Sequence, residues 1–156
     1  MFDGHSAGIT SLDVFDLDGN IFASGSSDLS FRVWDIRMKN ACIRQFSEKD
    51  SHISVVKFMP ENVNTLAVGN NSEVKIWDLR ALGAVSVLAE PDENYEEVCS
   101  VEFSKSGRLL FTQYATVIKI WDIVKEANLG QFGHSQNEDL KCISLAEDGA
   151  HLISSG

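Results

Sequence analysis

Short apolar stretches separated by polar turns recur along the chain. The first begins with alternating apolar residues at 9–14, turns at Asp18-Gly19, and resumes before a polar turn that ends at Asp28. Alternating apolar positions bounded by turn residues are typical of antiparallel β-strands. Two further strands are predicted at 31–35 and 41–46. The pattern therefore predicts a small antiparallel sheet of four strands.

This four-stranded unit recurs along the sequence. Trp-Asp pairs begin at positions 34, 77 and 121, so successive pairs lie 43 and 44 residues apart. That period fits one four-stranded blade of a β-propeller. The fold class predicted is all-β, a partial propeller of about three and a half four-stranded antiparallel blades. The chain is one segment whose repeats span approximately 4–46, 47–88, 89–132 and, incompletely, 133–156.

The fourth repeat stops before any Trp-Asp strand. A blade buries its apolar faces only against neighbouring blades, and propellers usually close a ring of four to eight blades. Three and a half blades would instead form an open arc. We expect the 156 residues to be a fragment of a longer chain or an arc completed by another molecule.

Several motifs carry a resemblance to a known family. Gly4-His5, the turn at 24–28 and Val33-Trp34-Asp35 stand at the separation found in WD (tryptophan-aspartate) repeats, and this resemblance covers essentially the whole chain. Within that family, 34–37, 77–81 and especially the eleven residues at 100–110 resemble the later repeats of heterotrimeric G-protein beta subunits. The resemblance implies a seven-bladed ring that serves as a non-catalytic interaction scaffold.

Composition and charge narrow the class of partner. With 44% apolar and 23% charged residues, the sequence is typical of a soluble globular domain. The formal charge of −10 disfavours nucleic acid as a ligand, because that binding is driven by lysine and arginine. No apolar run approaches the roughly 18 residues of a membrane span, and the N-terminus opens without a leader pattern. We therefore expect a cytoplasmic protein that reaches membranes only through its partners.

The sequence offers no cofactor or metal motif. Cys42, Cys99 and Cys142 are odd in number and widely spaced, so neither a disulfide framework nor a zinc site is predicted. We expect buried free thiols. No glycine-rich phosphate loop is present either, so no nucleotide pocket is expected.

Four side chains of the first repeat support two interpretations. His5, Ser24 and Asp28 are the residue types of a nucleophilic triad, and a hydrolase of that kind would need a solvent-open Ser24. The WD-repeat resemblance implies instead a structural hydrogen-bond chain that runs from Asp28 through His5 and Ser24 to the indole of Trp34. The remaining repeat-signature residues are Trp77, Asp78, Trp121, Asp122 and His134.

Only the first repeat holds all four residue types of this chain. In the second repeat, Lys49 stands in the histidine place and Val68 near the serine place, with Asn71 or Ser72 in the aspartate place. In the third repeat Thr112 stands in the serine place. We therefore expect the first blade to be the most rigid.

The loops before each innermost strand are predicted to share the protein-docking face. The candidate partner-facing residues are Gly8, His52, Glu97 and Asp139. The beta-subunit resemblance implies that this face receives a G-protein alpha subunit and effectors. It also implies that a gamma subunit would bind an N-terminal helix that has no counterpart here. The alternative is a generic WD-repeat adaptor or complex scaffold unrelated to G-protein signalling.

Overall fold

The computed structural model describes residues 3–49, 51–71, 73–81, 83–89, 97–133, 141–146, 149 and 151–155. No helix in those ranges is long and apolar enough to cross a membrane. Within the same ranges the chain forms strands β1 (Ile9–Val14), β2 (Ile21–Ser26), β3 (Ser30–Asp35), β4 (Cys42–Ser47), β5 (Val55–Met59), β6 (Asn62–Gly69), β7 (Val74–Asp78), β8 (Ala84–Leu88), β9 (Ser100–Phe103), β10 (Leu109–Gln113), β11 (Val117–Asp122), β12 (Ala127–Gly133), β13 (Cys142–Leu145) and β14 (Leu152–Ser155).

The strands pair in chain order into separate antiparallel sheets. β1–β4, β5–β8 and β9–β12 each form a four-stranded sheet, and β13 pairs with β14. We call these sheets the first, second, third and fourth blade. The predicted all-β fold with four-stranded blades is confirmed. Every four-stranded blade takes all its strands from one consecutive stretch of sequence, because short turns connect neighbouring antiparallel strands.

The innermost strands hold the blades side by side. β1 contacts β5, β5 contacts β9, and β9 contacts β13. Side-chain hydroxyls join these strands, and the residues just before them, across the blades: Thr10 donates to the Ile53 carbonyl at 2.5 Å, and Ser54 donates to the Val98 carbonyl at 2.7 Å. Asp13 accepts from the Phe58 backbone N–H at 2.7 Å. Small polar side chains on the inner strands thus satisfy backbone groups that a single blade leaves unpaired.

The hydrophobic cores lie between blades. One buried cluster combines Phe31 and Val33 of the first blade with Val56, Phe58 and Trp77 of the second. A second cluster joins the second and third blades in the same way, and a third joins the third and fourth. Each sheet therefore depends on its neighbour for the burial of its apolar face.

The three tryptophans occupy equivalent places in their blades. Trp34, Trp77 and Trp121 are all buried. In each blade, the pairing between the tryptophan strand and the outermost strand is interrupted by a register shift at the tryptophan. A bulge of this kind bends the edge strand and increases its twist.

Two glycines permit close contact between blades. A Cβ on Gly25 would lie 2.5 Å from a methyl of Ile53, and one on Gly69 would lie 2.6 Å from Val55 and 3.0 Å from Val98. In the third blade the equivalent strand position, opposite Ile118, holds the fully buried Gln113. The amide O and N of Gln113 have no hydrogen-bond partner among the described residues.

We expect Gly69→Ala to destabilise the protein by about 1–3 kcal/mol, because the added methyl overpacks the boundary between the second and third blades. The valines in its way are β-branched and stiff. Gly83→Ala is the matched control, since a Cβ there meets nothing within 4 Å. Chemical denaturation of both variants tests this. Equal stability of the two variants would contradict the close-packing argument.

Candidate functional site

The structure brings the four predicted side chains of the first blade together. His5 Nδ1 lies 2.9 Å from Asp28 Oδ2, and His5 Nε2 lies 2.7 Å from Ser24 Oγ. The Trp34 indole N–H donates to the same Ser24 oxygen at 2.8 Å. The chain of contacts connects the segment before β1, the turn between β2 and β3, and the tryptophan strand. It holds three separate parts of the blade in one arrangement.

Asp28 is the centre of this network. Burial raises the pKa of its carboxyl, but hydrogen bonds from the Ser30 hydroxyl, the Ser6 backbone N–H and His5 outweigh burial and hold that pKa well below its usual range. The carboxylate is therefore ionised and accepts hydrogen bonds only. His5 Nδ1 must then carry the hydrogen of this contact and donate a hydrogen bond to Asp28.

The Ser24 hydroxyl has a structural role in this network. Its side chain is buried, and its oxygen is engaged by both Trp34 and His5. A nucleophilic serine needs access to a substrate carbon as well as a base. A hydrolase would require a Ser24 that is open to solvent, and Ser24 is buried here. The arrangement instead avoids leaving a buried indole N–H unpaired, which would cost about 1–3 kcal/mol.

The second blade lacks this network at its core. Val68 stands where the first blade has Ser24, and the buried N–H of Trp77 has no hydrogen-bond partner among the described residues. Nearby, the Lys75 ammonium contacts Glu48 at 2.6 Å and Glu73 at 3.1 Å. Burial lowers the pKa of Lys75, and the two carboxylates outweigh it, so the pKa is raised. In the second blade, ion pairs thus lie where the first blade has the histidine network.

The third blade keeps part of the network. The Trp121 indole N–H donates to the Thr112 hydroxyl at 2.9 Å. Thr112 occupies the same register position as Ser24 and Val68, each opposite a basic residue of the tryptophan strand. His134, the predicted histidine of the fourth repeat, lies outside the described residues.

The aspartates that follow the tryptophans form a second repeated contact. Arg37 makes hydrogen bonds of 2.8 and 2.7 Å to Asp35, and Arg80 makes bonds of 2.9 and 2.6 Å to Asp78. Hydrogen bonds from Arg80 lower the pKa of Asp78 to about 2. In the third blade the partner comes from another turn, since Arg108 bonds to Asp122 at 3.1 Å. In the first two blades these two-point pairs close the turn after the tryptophan strand.

Two of the candidate partner-facing residues touch each other. His52 Nε2 and Glu97 Oε1 lie 2.8 Å apart, although 45 residues separate them, and both side chains remain partly exposed. Gly8 lies at the corresponding place in the first blade, exposed, with its carbonyl bound by the Ser27 backbone N–H. Asp139 lies outside the described residues. The pair across the two blades is a contact that local sequence patterns do not reveal.

The three thiols are free, but the prediction that they are buried is wrong. Cys99 and Cys142 are exposed and Cys42 is partly exposed. Cys42 begins the outermost strand β4, Cys99 immediately precedes β9, and Cys142 begins β13. No cluster of three or more metal-ligating side chains occurs among the described residues.

We expect Asp28→Ala to destabilise the protein by about 1–3 kcal/mol at pH 7, because it removes the acceptor shared by His5, Ser30 and Ser6. The pKa of Asp28 is lower in the folded chain than its ordinary 3.8. Its stabilising effect is therefore present above pH about 4 and is lost as the pH falls towards the folded pKa. Denaturation of both chains at several pH values should show the gap narrowing in acid. Asp16→Ala, at an exposed turn, is the control, and an Asp28→Ala gap that stayed constant in acid would count against the ionised network.

We expect Thr112→Val and Val68→Thr to act in opposite directions. Thr112→Val leaves the buried Trp121 N–H unpaired, at a cost of about 1–3 kcal/mol, whereas Val68→Thr gives the Trp77 N–H an acceptor and stabilises by about 0.5–1.5 kcal/mol. The two residues have nearly the same shape, so packing changes little. Thermal unfolding of the two variants measures both effects. Destabilisation by both would show that the hydroxyl does not serve the indole.

Comparison with known proteins gives a consistent result. Residues 1–35 match the family described as "WD domain, G-beta repeat". The chain is 34% identical to the guanine nucleotide-binding protein subunit beta of Oryza sativa subsp. japonica and 32% identical to that of Zea mays. It is 30% identical to that of Arabidopsis thaliana.

These similarities extend along nearly the whole chain, since each comparison covers 96% of it. The chain spans 41% of the length of these relatives. The tryptophan-aspartate repeats, the four-stranded blades and the relatives agree. The chain is thus a WD-repeat chain, folded as part of a β-propeller, and it is similar to guanine nucleotide-binding protein beta subunits.

Proposed function

We propose that this chain is part of a non-catalytic docking scaffold that binds a G-protein alpha subunit and effectors through the loops before its innermost strands. The His52–Glu97 contact carries the proposal. It joins the second and third blades at 2.8 Å and leaves 35% of the His52 side chain and 53% of the Glu97 side chain exposed. A polar surface that is fixed in place but open to solvent suits a protein partner.

The described residues just before β5 and β9 are anchored to the preceding blade. The backbone N–H of Ile53 donates to the Ser26 carbonyl at 3.2 Å, and that of Val98 donates to the Asn70 carbonyl at 3.1 Å. His52 and Glu97 directly precede Ile53 and Val98. Their side chains are therefore held by backbone contacts on both sides of the blade boundary. A partner that docks on His52 and Glu97 meets a backbone that these two hydrogen bonds already hold in place.

Charge favours a basic or neutral partner surface. The chain carries a formal charge of −10, and Glu97 presents a half-exposed carboxylate on the proposed face. A lysine or arginine of the partner would compete with His52 for that carboxylate. Rim charges of this kind act mainly on the rate and selectivity of association.

Binding rather than chemistry is also the role that suits the first blade. The nucleophile-like Ser24 is buried and serves the Trp34 indole. A beta-subunit role further implies that the protein works in the cytoplasm and reaches membranes through its partners. A buried Ser24 fits a scaffold that binds partners through its surface.

The test is capture of a purified G-protein alpha subunit by the immobilised chain. We expect GDP-loaded alpha subunit to be retained and the same subunit in its GTP state to be released, since the beta-subunit resemblance implies a scaffold that holds the inactive form. Glu97→Lys should reduce capture by about tenfold, equivalent to roughly 1.4 kcal/mol.

Asp16→Lys supplies the matched control. It makes the same change of charge in the turn between β1 and β2, at the opposite end of the innermost strand from Gly8. We expect it to bind like the unaltered chain. Capture that ignored the nucleotide state, or equal losses in the two variants, would contradict the proposal.

A further inference from the structure

A polar cavity lies beside the ion pairs that replace the histidine network in the second blade. It has a volume of about 360 Å³, and its wall includes Glu48, Lys49, Glu73, Lys75 and Trp77. The cavity belongs to the boundary between the first and second blades, both of which are complete four-stranded sheets. It is therefore part of the interior of the arc.

The first blade shows what fills the corresponding space there. The side chain of His5 is only 5% exposed, and its two ring nitrogens contact Asp28 and Ser24. Lys49 stands in the histidine place of the second repeat and is exposed. The second blade thus keeps room beside its tryptophan but has no imidazole of its own in that place.

Two side chains in the wall of the cavity carry polar groups without partners. Trp77 is 7% exposed, and its indole N–H has no hydrogen-bond partner among the described residues. Oε1 of Glu48 is also buried and has no partner within the described part of the chain. Unpaired buried polar groups are costly, so a ligand that pairs them is favoured.

The Trp77 indole is held in one orientation. Its ring lies edge-on to Phe31, with the centroids 5.0 Å apart, and 5.2 Å from the ring of Phe46. Val68 stands where the first blade has the Ser24 hydroxyl, so the adjacent strand gives the indole N–H no side-chain acceptor. The N–H is therefore a fixed donor that a ligand can meet without further ordering of the protein.

The charges around the cavity restrict the ligand. The Lys75 ammonium contacts Glu48 at 2.6 Å and Glu73 at 3.1 Å, so two carboxylates share one mostly buried cation. The excess negative charge disfavours an anionic ligand. Each carboxylate also has lone pairs left to accept a hydrogen bond from a ligand N–H.

We propose that this cavity binds an imidazole ring, in the place that the ring of His5 fills in the first blade. A neutral imidazole has one N–H donor and one acceptor nitrogen. The acceptor nitrogen takes the hydrogen bond of the Trp77 indole, and the N–H donates to the carboxylate of Glu48 or Glu73. The ring comes from a histidine side chain of a bound protein or from a free imidazole compound. Its binding does not require the alpha-subunit docking proposed above.

Titration with imidazole, followed by the NMR signals of the three tryptophan indole N–H groups, tests this site. The ring is neutral at pH about 8, because the ordinary pKa of a histidine imidazole is about 6.5. We expect the Trp77 signal, identified by its loss in Trp77→Phe, to move and saturate, with half-saturation at about 1–10 mM. The signals of Trp34 and Trp121 should not move, because both indoles already donate to hydroxyls.

Two related ligands test the two hydrogen bonds. Pyrrole has the N–H but no acceptor nitrogen, and 1-methylimidazole has the acceptor nitrogen but no N–H. We expect each to bind about tenfold more weakly than imidazole. N-acetylhistidine methylamide distinguishes the two sources of the ring. A shift of the Trp77 signal like that with imidazole would assign the cavity to a partner's histidine, and a shift with imidazole alone would assign it to a free compound.

Lys49→His supplies the ring from the chain itself. We expect its imidazole to occupy the cavity, to move the Trp77 signal without added ligand and to weaken imidazole binding by about tenfold. Lys39→His is the matched control, since Lys39 is an exposed residue between β3 and β4. It should bind imidazole like the unaltered chain. Circular dichroism confirms that both variants are folded.

Three results would overturn the assignment and leave the cavity to water. The first is a Trp77 signal that does not saturate or that moves together with those of Trp34 and Trp121. The second is equal affinity for imidazole, pyrrole and 1-methylimidazole. The third is imidazole binding by Lys49→His that equals that of the unaltered chain. The first two need only the unaltered chain, so they hold even if a variant does not fold.

Discussion

The burial of one blade's apolar face against the next is the interaction on which this structure depends. A single four-stranded sheet has no core of its own, and the buried clusters all span a boundary between blades. Each fully buried valine, leucine or phenylalanine contributes about 1.5–3 kcal/mol to this contact. Inter-strand hydroxyl bonds, such as Thr10 to Ile53, set the alignment of the sheets but add less free energy.

The polar networks are secondary to this packing, as their variation shows. The first blade has a complete chain from Asp28 to Trp34, the third keeps only Trp121 with Thr112, and the second replaces the chain with Lys75 and two carboxylates. All three tryptophans are nevertheless buried in equivalent places. The repeats therefore differ in how they satisfy polar groups, while each of the three keeps a buried tryptophan. The fold tolerates this because a lost hydrogen bond costs less than an uncovered sheet face.

The sequence predicted the all-β fold and the blades because their signals are local. The alternation of apolar residues is visible within single strands, and the Trp-Asp period is visible by comparing successive repeats of the sequence. It also indicated the four side chains of the first blade that form the hydrogen-bond chain. Contacts across a boundary between blades were harder to predict. The 2.8 Å contact of His52 with Glu97 depends on how two loops approach each other, and no pattern within either loop encodes that distance.

The cysteines illustrate the same limit. Their number and spacing correctly suggested free thiols, but exposure depends on whether a neighbouring blade covers the position.

The bulges opposite the tryptophans have a consequence for solubility. β4, β8 and β12 each end their sheet, so one side of each strand lacks a neighbour. A long flat edge would recruit strands from other molecules and seed fibrils. The interruption beside Trp34, Trp77 and Trp121 breaks the regular spacing of backbone donors and acceptors along that rim. The outer circumference is thereby protected from amyloid-like growth.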